Sequence, residues 1–405
     1  ARAAEVCGIA EADLIQAARW FAQADRPGGA TLSLYCMGLN QSAAGTDKNA
    51  ALINLHLATG QIGRAGAGPF SLTGQPNAMG GREVGGLSNL LSAHRDLADP
   101  AHRAEVAALW GLPDVPATPG RSAVEMFEAA ADGEIRLLWI ACTNPAQSMP
   151  DQAMVRRALE RAEFVIVQEA FATTATVAYA DLLLPATTWG EKIGSVTNSE
   201  RRISRVRPAV AAPGQARHDW QIAVDVARRL EERLPERLHG QATLFPYADA
   251  ESIWNEHRES TRGRDLDITG LSWAHLEQHG PQQWPMPEGA LAGRPRLYED
   301  GIFPTEDGRA RFAPVAFRPV AEPVDAPYPF SLISGRLRDQ WHGMSRTGTL
   351  GRLFGHVPEP VAEMNAADLD ALGLKDGDLV EVRSRRGSVV LAAQAGGAVA
   401  RGQVS

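Results

Sequence analysis

Residues 136–185 read RLLWIACTNPAQSMPDQAMVRRALERAEFVIVQEAFATTATVAYADLLLP. Three short apolar runs, at 136–141, 164–168 and 181–184, lie within this segment, and residues 151–161 between the first two have the apolar spacing of a helix. Short apolar strands that alternate with helices are typical of a parallel sheet that is covered on both faces. The pattern therefore predicts an α/β domain with parallel strands.

The remainder of the chain predicts further domains on both sides of this segment. At 405 residues the chain is too long for one ordinary hydrophobic core. A strand at 31–36 and a helix at 47–59 precede the segment, and a strand at 328–333 and hairpin signals around Asp376-Gly377-Asp378 follow it. We expect four parts: an α/β domain at 1–115, a second α/β dinucleotide-binding domain at 120–235, an irregular connection over the surface at 236–325, and an all-β unit at 326–405.

The composition excludes several classes of protein. The apolar fraction of 44% and the charged fraction of 22% are those of a globular protein. A net charge of −8 argues against nucleic-acid binding, which requires a basic face. No apolar run approaches the roughly 20 residues that cross a bilayer, and the first ten residues lack the pattern of a secretory signal. Both ends of the sequence are interpreted as boundaries within a longer protein.

The three cysteines, Cys7, Cys36 and Cys142, have no metal-ligand or redox spacing. Each stands next to apolar residues, which predicts small buried side chains. Reduced cysteines fit a cytoplasmic location.

Several predicted strands end in polar loops of small residues. Loop 37–41 follows the strand at 31–36, Asn144 follows the strand at 136–141, and Ser334 follows the strand at 328–333. Ligands of open α/β sheets bind outside the carboxyl ends of the strands, so these loops are candidate ligand contacts. Glu169, at the end of a further strand, is either a ribose acceptor or a plain N-cap or solvated carboxylate.

The segment 181–202 mixes Pro, Gly, Thr and Asn after a buried strand. Backbone NH groups and hydroxyls of such loops bind phosphate oxygens, and Lys192 would add a cation. The alternative for Lys192 is an exposed surface residue. Asp219 opens a predicted helix at 218–233, where a carboxylate either stabilises the helix dipole or accepts hydrogen bonds from guanine.

Arg82 is the candidate for binding a substrate. Its planar fork of donors matches a planar oxyanion. The alternatives are a local charge pair with Glu83 or a structural phosphate contact. No hydrolase pattern is present, and His275 and His279 are interpreted as a solvated pair because no third ligand stands near them, so no metal ligand is predicted.

Four motifs, in order, resemble bacterial assimilatory nitrate reductases of the dimethyl sulfoxide reductase family of molybdopterin oxidoreductases. They are MGLNQSAAGTDKNAALINLHLATGQIGRAGAGPFSLTGQPNAMGGREVGG (37–86), WIACTNPAQSMPD (139–151), LLLPATTWGEKIGSVTNSERR (182–202) and SGRLRDQWHGMSRTG (334–348). The resemblance spans most of the chain and is weakest over 234–325. It implies reduction of nitrate to nitrite at a molybdenum bis(molybdopterin guanine dinucleotide) centre between two α/β domains, closed by a C-terminal β-barrel of the double-psi type.

The resemblance also assigns residues to roles. It places Arg82 in the nitrate pocket. It implies cofactor contacts from Met37, Gly38, Gln41, Asn144, Glu169, Lys192, Asp219, Ser334, Gly335, Arg336, Gln340, Trp341 and His342.

Family members carry an iron–sulfur cluster domain and a molybdenum-ligating Cys upstream of the region that matches this chain. We therefore expect a fragment that is inactive alone, with an electron donor such as ferredoxin, flavodoxin or a reductase subunit serving the whole protein. Two alternatives are a formate dehydrogenase of the same family and a non-catalytic cofactor-binding or scaffold module. Residues 75–86 favour the nitrate reductases over the formate enzymes.

Overall fold

The computed structural model describes residues 1–23 and 25–405. The chain forms two compact units, each built from two separate stretches. Unit 1 contains Ala1–Ser122 and Ala186–Arg318, and unit 2 contains Ala123–Pro185 and Pro319–Ser405.

The first stretch of unit 1 alternates helices with short strands. These are α1 (Arg2–Cys7), α2 (Glu11–Phe21), β1 (Leu32–Tyr35), α3 (Met37–Asn40), α4 (Gly45–Ala58), β2 (Gly68–Ser71), α5 (Ala78–Glu83), β3 (Leu90–Leu91), β4 (Arg95–Asp96) and α6 (Pro100–Trp110). Strands β1 and β2 are parallel, and Tyr35 lies opposite Ser71 at their carboxyl ends. The predicted strand at 31–36 and helix at 47–59 are confirmed as β1 and α4.

The first stretch of unit 2 is the predicted α/β segment. It contains α7 (Ala123–Asp132), β5 (Leu137–Ala141), α8 (Pro145–Ser148), α9 (Gln152–Arg161), β6 (Phe164–Glu169) and β7 (Leu182–Pro185). The strands form a parallel sheet in the order β5-β6-β7, as predicted. Apolar side chains of α7 and α9, including Phe127, Val155 and Leu159, pack on Val165 and Val167 of the central strand. Burial of this apolar surface is the main term that stabilises the layer.

The second stretch of unit 1 differs from the sequence prediction. It contains β8 (Gly194–Thr197), β9 (Arg202–Val206), α10 (Asp219–Glu231), α11 (Ala250–Ser260), α12 (Trp273–His279) and β10 (Gln282–Gln283). The prediction of an irregular surface connection over 236–325 does not hold, because α11 and α12 lie within it and Leu266, Leu271 and Met286 form a buried cluster with three tryptophans. Helix α12 is only seven residues long, too short for apolar periodicity to be recognised.

The second stretch of unit 2 is a mixed five-stranded sheet with one α-helix and two short 3₁₀ helices. Its elements are β11 (Ser331–Leu332), β12 (Val361–Met364), α13 (Ala366–Leu372), β13 (Leu379–Arg383), β14 (Ser388–Ala395) and β15 (Gln403–Val404). The strand order is β11-β15-β12-β14-β13. The predicted hairpin is confirmed as the antiparallel pair β13 and β14. The predicted strand at 328–333 is reduced to the two residues that pair with β15.

The interpretation of the cysteines as buried hydrophobes is wrong. Cys7 and Cys142 are exposed, and Cys36 is half-buried. Cys142 has a positive φ of 59° and turns the chain away from the sheet directly after β5, so its side chain does not enter the core. Within the residues that the structure describes, no helix is long and apolar enough to cross a membrane.

Candidate functional site

Two segments of unit 1 leave the same edge of the β1–β2 sheet. Because the two strands are parallel, the chain after Tyr35 and the chain after Ser71 both start at this edge. The Cys36 Sγ donates to the Leu72 carbonyl oxygen at 2.6 Å and ties the two segments together. The first segment contains Met37 and Gly38 in α3 and Gln41 at its C-terminal cap. The second leads into α5, which carries Arg82.

Arg82 lies in the last turn of α5, and its side chain is exposed. Among the residues that the structure describes, no hydrogen bond or ion pair engages its guanidinium. The alternative of a local charge pair with Glu83 is wrong, because Glu83 is buried at 2% exposure and bonds elsewhere. An arginine with no protein partner leaves all five donors available to an anion.

Thr197, the last residue of β8, binds both ends of α5. Its hydroxyl donates to Glu83 Oε2 at 2.7 Å, and its backbone NH donates to Asn77 Oδ1 at 2.9 Å. Trp284 Nε1 donates to the other oxygen, Glu83 Oε1, at 2.6 Å. Sequence reasoning missed these residues, because Thr197 and Trp284 lie 114 and 201 positions from Glu83 and no local pattern links them. The sequence links these residues only in that motifs 37–86 and 182–202, which contain Glu83 and Thr197, resemble the same family.

Lys192 and Asp219 bind each other. Lys192 Nζ lies 2.5 Å from Asp219 Oδ2, and both side chains are about one-third exposed. Lys192 follows a short 3₁₀ helix, Trp189–Glu191, and Asp219 begins α10. A groove of about 570 Å³ runs along α10 and is lined by Trp220 and other neighbours of Asp219, but not by Asp219 itself. The groove is therefore separate from the paired side chains.

Asn144 follows β5 of unit 2, and Glu169 is the last residue of the adjacent parallel strand β6. The register pairs Ala141 with Gln168, so both residues lie at the carboxyl edge of the sheet. Asn144 Oδ1 accepts from the backbone NH of Thr176 at 3.0 Å and from its hydroxyl at 2.7 Å. Glu169 Oε1 accepts from the next backbone NH at 2.7 Å. The alternative of a plain N-cap carboxylate thus accounts for one of the two Glu169 oxygens.

A second predicted loop of unit 2 lies against the Asn144 loop. Asn144 Nδ2 donates to Gln147 Oε1, and Gln147 Nε2 donates to the Gly343 carbonyl oxygen, both at 2.8 Å. Gln147 was not predicted, because a glutamine in a Pro-rich turn carries no distinctive signal. The loop after β11, residues 333–342, is irregular and contains the predicted Ser334, Gly335, Arg336, Gln340, Trp341 and His342.

Gln340 is buried at 6% exposure, and both polar atoms of its amide have no hydrogen-bond partner among the described residues. Buried amides without a partner are rare in folded proteins, and they indicate that a ligand or water completes the site. Nearby, burial and the positive charges of Arg336 and Arg346 lower the pKa of His342. The loop is therefore electropositive and has an unused donor and acceptor.

Comparisons with known proteins match the chain to molybdopterin-dependent proteins. Residues 10–229 match the molybdopterin oxidoreductase profile, and residues 330–405 match the molybdopterin dinucleotide binding domain. A nitrate reductase from Synechocystis sp. is 44% identical, over 99% of this chain and 55% of that protein. An assimilatory nitrate reductase from Haloferax mediterranei is 38% identical, over 89% and 49%. An F420-dependent formate dehydrogenase subunit alpha from Methanocaldococcus jannaschii is 34% identical, over 97% and 55%. The chain thus spans about half the length of the curated relatives it matches.

Proposed function

Because the chain belongs to the molybdopterin oxidoreductase family, we propose that it forms the anion-binding and cofactor-binding part of a nitrate reductase. The observation that carries this proposal is the exposed Arg82 guanidinium, which has no partner among the described residues. The segment that leads to Arg82 starts at the same sheet edge as the loop 37–41. The 44% identity to a nitrate reductase supports nitrate as the anion.

The proposed cofactor is molybdenum bis(molybdopterin guanine dinucleotide), and the residues of unit 2 fit a dinucleotide. The buried amide of Gln340 offers a donor and an acceptor that no described residue satisfies. Arg336 and Arg346 supply positive charge, which favours a diphosphate group near this loop. When bound, this cofactor supplies two-electron oxygen-atom transfer chemistry.

In unit 1, the proposed contacts are the α3 loop and the pair formed by Lys192 and Asp219. A lysine ammonium has three donors and uses one on Asp219, so two remain for phosphate oxygens. We propose that Asp219 accepts hydrogen bonds from guanine while the pair stays closed. Asn144 and Glu169 are proposed to contact the dinucleotide from the sheet edge of unit 2.

The proposed reaction converts nitrate, two electrons and two protons into nitrite and water. Arg82 binds nitrate through two parallel N–H···O bonds and holds the third oxygen in a fixed direction. Electrons are proposed to come from ferredoxin, flavodoxin or a reductase subunit, through an iron–sulfur cluster of the whole protein. We further propose that residues 326–405 belong to a barrel of the double-psi type and that residues 1–115 belong to an α/β domain. The predicted domain at 120–235 is instead divided between the two units at Pro185.

The test uses the full-length enzyme loaded with cofactor. We expect nitrate to oxidise a reduced viologen dye and formate to leave the oxidised dye unchanged. The alternative that the formate dehydrogenase relative favours predicts the reverse, namely dye reduction by formate. A full-length protein that holds no molybdenum and shows neither reaction would instead be a scaffold, and the proposal would be wrong.

A further inference from the structure

Glu83 is the one carboxylate of α5, it is buried at 2% exposure, and the described contacts use both of its oxygens. Thr197 donates to Oε2 at 2.7 Å and Trp284 to Oε1 at 2.6 Å. Removing one partner of a buried, hydrogen-bonded group leaves the other unsatisfied, which destabilises the folded state. The local structure therefore strongly prefers the observed position of this carboxylate.

The donor Trp284 is itself held in place. Arg201 lies over its ring, with the guanidinium carbon 5.1 Å from the ring centre, and donates to its carbonyl oxygen. The same guanidinium also donates to the carbonyl oxygens of Arg294 at 3.2 Å and Pro295 at 3.0 Å. The loop that brings Trp284 to α5 thus has several anchors.

These contacts determine the direction of Arg82. Neighbouring residues of an α-helix point about 100° apart around its axis. Because Glu83 is buried and Asn77 is bound at the other end of α5, rotation of the helix about its axis is restrained, and the adjacent Arg82 side chain is exposed. Arg82 has no partner of its own among the described residues, so the orientation of α5 sets the direction of its guanidinium.

We propose that Glu83, clamped by Thr197 and Trp284, is a positioning residue that aims the Arg82 guanidinium at the substrate anion. This inference rests on the proposed function, because it requires Arg82 to bind nitrate. It assigns a role to the segment 281–295, in which the resemblance to nitrate reductases is weakest, since Trp284 completes the clamp.

A glutamine at position 83 should keep the clamp. Its carbonyl oxygen accepts from Trp284, and its NH₂ group donates to the Thr197 oxygen after the hydroxyl rotates. Burial raises the pKa of the Glu83 carboxyl, so the surroundings favour an uncharged group there. Glu83→Gln is therefore the conservative variant, and Glu83→Ala removes both contacts.

The experiment measures nitrate KM and kcat in the full-length enzyme, and nitrate Kd from the thermal shift of the oxidised, non-turning enzyme. We expect Glu83→Ala to raise KM and Kd about tenfold, with a smaller change in kcat, because a misplaced group loses much of its binding. Glu83→Gln should stay within about threefold of wild type. Trp284→Phe keeps an aromatic ring and loses the N–H donor, so it should raise nitrate KM and Kd as Glu83→Ala does. It replaces Glu83→Ala in the test if that variant fails to fold. The matched control is Trp254→Phe, because Trp254 lies in the same cluster and its Nε1 has no described partner.

A double-mutant cycle with Arg82→Ala separates the two proposals. If Glu83 acts through Arg82, Glu83→Ala should change Kd by less than about twofold in the Arg82→Ala background. If Arg82→Ala alone leaves nitrate affinity unchanged, the proposed anion site is wrong, and the positioning role is wrong with it. If Arg82→Ala weakens binding but Glu83→Ala and Trp284→Phe do not, only the positioning role is overturned. A Glu83→Ala effect that persists in full without Arg82 also overturns it.

Discussion

Arg82 combines an exposed side chain with a helix that is anchored at both ends. The side chain has no described partner, whereas hydrogen bonds hold the helix in place. A surface arginine normally moves among many rotamers and loses that freedom when it binds. A fixed helix axis limits the directions that the side chain can take, which lowers the cost of binding a small anion.

We predict that Arg82→Ala in the full-length enzyme lowers kcat/KM for nitrate by about tenfold to hundredfold. A charge-assisted hydrogen bond contributes about 1.5–3 kcal/mol, which corresponds to this range. Arg82→Lys keeps the charge but loses the planar fork, so it should also be impaired. Steady-state kinetics with molybdenum content confirmed unchanged is the measurement.

The exposed Arg309 is the matched control, because its removal changes net charge equally and lies outside the motif. Arg309→Ala should leave nitrate kinetics within about twofold of wild type. If Arg82→Ala also leaves nitrate kinetics within about twofold of wild type, Arg82 has only a structural role and the anion site lies elsewhere.

Helix α5 depends on a sharp turn directly after it. Gly85 has a φ of +78°, and a Cβ there would lie 2.6 Å from the Leu91 carbonyl carbon and 2.8 Å from the Ser92 nitrogen. Both atoms belong to backbone, so neither can move away cheaply. The left-handed conformation alone costs a residue with a side chain about 1–2 kcal/mol.

We therefore predict that Gly85→Ala destabilises unit 1 by more than about 2 kcal/mol, since backbone strain and the clash both contribute. Gly81→Ala is the control within the same helix, because its Cβ would meet no atom within 4 Å. It should be neutral or stabilise by up to about 1 kcal/mol, as expected for alanine in a helix. Chemical unfolding of both variants is the measurement, and equal midpoints would contradict the strain argument.

Elements with a strong local pattern were predictable, and the contacts between distant elements were not. The parallel strands β5, β6 and β7 are continuous apolar runs, and their polar loops marked Asn144 and Glu169 as candidates. Helices α11 and α12 were not predicted, because few apolar residues, mainly tryptophans such as Trp254 and Trp273, form their buried faces. The clamp on Glu83 joins parts of the chain more than 100 positions apart, and no spacing rule on one sequence predicts such a contact.

The stability of unit 1 should depend on pH through His257 in α11. Burial lowers the pKa of His257 to about 4, and neighbouring His94 contributes in the same direction. In the unfolded chain a histidine titrates near pH 6.5. Above that pH both states are neutral and no penalty exists, whereas between about 6.5 and 4 only the unfolded state takes up the proton, so stability falls as pH falls.

We predict that His257→Asn removes up to about 3 kcal/mol of this acid destabilisation between pH 6.5 and 4, at about 1.4 kcal/mol per pH unit. Hydrogen exchange of the α11 amides, measured across this range, reports the local free energy of opening. The exposed His239, changed to Asn, is the control and should follow the wild-type curve. Identical curves for the wild type and His257→Asn would show that burial of this ring does not govern the acid response.

The interleaving of the two units sets the order in which a ribosome can complete them. The β5–β6–β7 layer and its apolar core need only residues 123–185, so this layer can close soon after that stretch leaves the exit tunnel. Helix α5 is synthesised earlier but must wait for Thr197 and then for Trp284, 201 residues after Glu83. Contacts of such long sequence separation form slowly. The part of the nascent chain that carries the proposed anion-binding Arg82 therefore reaches its final position only after residue 284 has been synthesised. A translation pause between residues 200 and 284 would leave Glu83 without its contact to Trp284.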